Sequence, residues 1–166
     1  MTSYEDSYEA LERMASQQPG GMGNVRRAVL GSVEHWKNDK PTPYAEAART
    51  LVQDFLMHGV RRVEWTPVYD TLRGKRQEVG EANELTTLAY QLLAQTDWQT
   101  IVKDAQYLTQ ADDMLRGWVE DHCLTWIESP DARRYTGSVG IFANTVLDLY
   151  LQAVQWDKVT TALRGE

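Results

Sequence analysis

Residues 85–127 read LTTLAYQLLAQTDWQTIVKDAQYLTQADDMLRGWVEDHCLTWI, and apolar side chains recur through them at steps of three and four. Leu85, Leu88, Ala89, Leu92 and Leu93 open the stripe, and Trp98, Ile101, Val102, Ala105 and Leu108 continue it. Ala111, Met114, Leu115, Trp118, Val119, His122, Cys123, Trp126 and Ile127 close it. Each residue turns about 100° around a helix axis, so this spacing gathers the apolar groups on one face. The spacing predicts an all-α fold, a single-domain bundle of about six to eight helices with no sheet of consequence.

The same period extends outward in both directions. Tyr4, Tyr8, Leu11 and Ala15 mark a first helix, ended by the flexible run Gln18-Pro19-Gly20-Gly21-Met22-Gly23. Asn24 is the expected N-cap of a second helix, with Val25, Ala28, Val29, Val33 and Trp36 inward. Thr42 and Pro43 suit the cap and first position of a third, whose apolar face runs from Tyr44 to Leu56 and stops at Gly59. Val60–Trp65 is the one strand-like run, and with no partner strand it reads as a connector. Thr66-Pro67 restarts a helix through Val68, Leu72, Gln77 and Val79, ending near Gly80. Asp97 is a natural cap before Trp98, and Ser129-Pro130-Asp131 stops the stripe. From Ser138, one last helix carries apolar residues on to Leu163.

The 166 residues are read as one helical domain, with residues 1–23 forming a helix and a Gly-rich loop. Residues 24–80 are its mildly basic part and residues 81–166 its acidic part. Up to residue 76 the chain holds 11 Lys and Arg against 10 Asp and Glu; from residue 77 it holds 6 against 14. The net charge of −7 disfavours general nucleic-acid binding, because a duplex is itself a dense anion. No run reaches the roughly 20 apolar residues needed to cross a bilayer. The start MTSYEDSYEAL lacks the apolar core of a secretory signal, and Cys123 alone forms no internal disulfide. Cytoplasm is the expected compartment, and a membrane is not an expected partner.

Chemistry-bearing motifs are sparse. His122 and Cys123 could be a nucleophile pair or metal ligands, but neighbouring helical residues point about 100° apart, so packing is the expected role. Glu120-Asp121-His122 and Glu34-His35 lack the Glu-x-x-His spacing of a bundle-core metal site. Gly20–Asn24 with Arg26-Arg27 lacks the spacing of a phosphate-binding loop. No cofactor, no metal and no catalytic residue is expected, and the chain reads as leaning away from an enzyme.

Two features point to recognition instead. Arg outnumbers Lys 12 to 5, and residues 60–76 carry five basic groups against two acidic ones. Arg61, Arg62, Arg73, Lys75 and Arg76, with Trp65 and Tyr69 among them to stack, form the candidate partner-binding segment. Its bland alternative is that these arginines pair with internal carboxylates. Six Trp and eight Tyr stand against two Phe, an interface-type choice of aromatics. The leading expectation is a regulatory protein-protein interaction module such as an adaptor, inhibitor, immunity protein or small subunit of a complex. The alternatives are a nucleic-acid-associated subunit using residues 60–76 on phosphates, and a helical enzyme with a scattered site. A second copy of the chain is a further candidate partner.

Overall fold

Among its described residues the stripe of 85–127 is mostly helical, interrupted by turns at 94–97 and 102. The computed structural model describes residues 4–17, 20–74, 83–102, 110–134 and 137–165, and among them every regular element is a helix. In chain order these are α1 (Tyr4–Ala15), α2 (Gly21–Lys37), α3 (Ala45–Arg61), α4 (Trp65–Leu72) and α5 (Glu84–Leu93). Then come α6 (Trp98–Ile101), α7 (Ala111–Glu128), α8 (Pro130–Arg134), α9 (Ser138–Ala153) and α10 (Trp156–Leu163). The fold is all-α. Ala105 and Leu108 of the stripe, and Gln77, Val79 and Gly80 of the fourth helix signal, lie outside the described residues.

Several boundaries differ from the sequence reading, each for a local reason. The second helix starts at Gly21 rather than after Asn24, because Gly20 turns the chain at φ 97°, a conformation open to glycine. Asn24 then sits inside the helix, accepting from Arg27 and donating to Gln17 at 2.8 Å. Thr42 does accept from a backbone amide, that of Tyr44 at 3.3 Å, but α3 begins only at Ala45 and runs past Gly59 to Arg61. Asp97 makes no side-chain cap; Thr96 Oγ1 accepts from the Trp98 amide at 3.2 Å instead. The last helix signal is broken at Val154-Gln155 into α9 and α10.

The chain divides into two compact units, and the division does not follow the change of charge near residue 76. One unit comprises residues 1–53 and 149–166, the other residues 54–148. In the first, α1 packs on both α2 and α10, and α10 packs on α2. Its core includes Ala15, Val25, Val33, Trp36 and Val52, with Thr160 buried but donating to the Trp156 carbonyl at 2.7 Å. In the second, α4 packs on α5 and α7, and α7 on α8. Leu56, Leu93, Leu115, Ile127, Phe142 and Leu147 are almost wholly buried, each stabilising the fold by about 1.5–3 kcal/mol. No helix among the described residues is long and apolar enough to cross a membrane.

Candidate interaction surface

The Arg-rich segment predicted for partner binding is dispersed by the turn between α3 and α4. Arg61 ends α3 and Arg62 follows it, both exposed to solvent. Trp65 and Tyr69 do not present their rings to a partner: at 8% and 7% exposure they are core residues of α4. A period of four on a helix packed against α5 and α7 directs both inward, and Arg73 covers Tyr69 with its guanidinium 4.9 Å from the ring centroid. Neither Trp65 Nε1 nor Tyr69 Oη has a hydrogen-bond partner among the described residues. Lys75 and Arg76 lie outside the described residues.

The backbone beside Arg62 is tied down by a small polar network. Asn83 caps α5 by accepting from the Thr86 amide at 2.9 Å, and its amide group donates to the Arg62 carbonyl at 2.9 Å. The Thr86 hydroxyl is fully buried; it accepts from the Glu64 amide at 2.8 Å and donates to Asn83 Oδ1 at 2.9 Å. Every polar atom of that hydroxyl is satisfied, so its burial costs little. This network fixes the α3–α4 turn to the start of α5.

An apolar cleft of about 360 Å³ opens elsewhere in the same unit, where α7, α8 and α9 meet. His122, Thr125 and Trp126 of α7 form one wall, Ala132 of α8 another, and the segment 137–140 the third. Sequence and geometry explain the opening together. Ser129 leaves helical geometry at φ −116°, ψ 114°, and Pro130 then starts α8 with no amide hydrogen to be satisfied. Ser129 Oγ accepts from the Ala132 amide at 3.3 Å, which pins α8 to the end of α7. Gly137, Ser138 and Gly140 fill little space, so the Trp126 ring, itself 2% exposed, becomes a floor.

Along α7 the cleft continues as a partly exposed stripe. Met114, Trp118 and His122 stand four residues apart; Met114 is 39% exposed and the other two are half-buried. The His122 and Trp118 rings stack at 3.7 Å between centroids, and His122 Nδ1 lies 2.8 Å from the Trp118 carbonyl. A carbonyl only accepts, so Nδ1 carries the proton and Nε2 is the ring's remaining polar atom. On α9, Ile141 is 58% exposed.

Cys123 is not arranged for nucleophilic chemistry. Cys123 is fully buried, and burial, with Glu120 adding to it, pushes its thiol from 9.0 up to about 12. A protonated, inaccessible thiol is a poor nucleophile. No group of three or more His, Cys, Asp or Glu that could hold a metal occurs among the described residues. Charge near the cleft is mixed in sign, and Arg134 follows Arg133 on α8. Arg116 pairs with Asp113 at 3.4 Å and Glu120 at 3.8 Å, and Arg133 Nη1 donates to the Ile127 carbonyl at 2.5 Å. Asp121 on α7 and Asp131 on α8 are exposed and have no ion-pair partner among the described residues.

The sequence reading placed Trp118, His122 and Trp126 in a scaffold stripe and Ser138 and Val139 in the last helix, and did not single out Thr125, Ala132, Gly137 or Gly140. The local signals are the Ser129-Pro130 stop and the small residues Gly137, Ser138 and Gly140, and neither says that they meet beside Trp126. No protein-family model, curated protein or solved structure matches this chain.

Proposed function

We propose that the protein is a protein-binding module that docks a partner against the α7–α9 face of residues 54–148. The observation supporting this is the continuity of apolar surface from Met114 through Trp118 and His122 into the cleft floored by Trp126. Aromatic groups with one buried and one accessible end are the usual anchors of protein interfaces. At about 360 Å³ the cleft lies at the low end of the roughly 300–1,000 Å³ of small-molecule sites, and its open mouth suits a side chain presented by a partner.

The test is retention from native extract on the immobilised full-length chain, with and without nuclease, for wild type and Met114→Glu. A protein retained in both extracts and lost with Met114→Glu, while the helical signal is kept, supports the reading. Retention indifferent to Met114→Glu removes this face from the function.

A second reading keeps the nucleic-acid role for Arg61 and Arg62, and their exposure at the α3–α4 turn favours it. It is weakened by the burial of Trp65 and Tyr69, which takes away the stacking half of the segment. Retention that disappears on nuclease treatment, and declines steeply with salt, would favour this second reading.

A further inference from the structure

We draw no further inference here: the strongest candidate, the apolar cleft where α7, α8 and α9 meet over Trp126, belongs to the surface already described, and nothing in the structure shows what covers it.

Discussion

Arg164 Nε donates to the carbonyl oxygen of Ala15 at 2.5 Å, joining residues 149 positions apart. The acceptor is a C-terminal carbonyl of α1 and the donor follows α10, so a helix end that would otherwise need water is closed by a guanidinium. Gly21, opening α2, lies against the same pair: a Cβ there would come within 2.5 Å of the Ala15 oxygen and 2.9 Å of Arg164 Nη2.

Two substitutions at this junction should therefore destabilise the unit through different causes. Arg164→Ala removes a charged donor from a part-buried carbonyl, at a cost of about 1.5–3 kcal/mol. Gly21→Ala forces backbone apart, at about 1–3 kcal/mol, although alanine is the better helix former. Urea midpoints of the two single variants and the double variant give the coupling. If Gly21→Ala raised the midpoint, the close approach would be disproved.

Asn83→Ala should cost about 1–2 kcal/mol by losing the α5 cap and leaving the Thr86 hydroxyl without an acceptor. Asn83→Asp keeps both acceptor contacts and loses only the donation to the Arg62 carbonyl, so it should be milder. Amide exchange at Thr86 follows the cap directly, and equal exchange in both variants would contradict the assigned roles.

Cys123 makes stability fall on the alkaline side. Its thiol ionises at 9.0 when unfolded but only near 12 in the fold, so above pH 9 the unfolded chain releases a proton that the native chain keeps. Stability is then fully present below pH 9 and declines by about 1.4 kcal/mol per pH unit from this group, until the folded value is reached. Alkaline unfolding of wild type and Cys123→Ala should diverge over that window. At neutral pH a thiol reagent should label the wild type no faster than it unfolds.

Met114 and Leu115 are neighbours with opposite fates. Leu115 is wholly buried and Met114 is 39% exposed. Leu115→Ala should cost about 2–5 kcal/mol, whereas Met114→Ser should stay within about 0.5 kcal/mol. Thermal unfolding separates the two, and a large loss for Met114→Ser would mean that its side chain is structural.

The helical period made the fold legible, because burying a helix face constrains composition strongly at i, i+3 and i+4. Helix ends were less legible where the stop is tertiary. Val154-Gln155 contains no breaker residue, and the apolar pattern runs across it. The site was harder still. Trp65 and Tyr69 looked available because charged residues surround them in sequence, yet four-residue spacing alone cannot say which side of a short helix meets α5 and α7. The cleft depends on where Pro130 turns the chain and on small residues seven to ten positions further along, and the sequence does not say that these meet beside Trp126.

The division at residues 53/54 and 148/149 also orders events in time. Residues 54–148 are one uninterrupted run that begins within α3 and ends within α9. By contrast α1 and α2 need α10, and the Arg164 guanidinium must reach back to Ala15. In synthesis α1 and α2 therefore precede their partner α10 by the whole of that run. The contacts of α10 with α1 and α2 can form only after residues 54–148 have been made. Closing so long a loop is slow but costs little more at equilibrium than closing a shorter one, so the delay falls on assembly rather than on the finished protein.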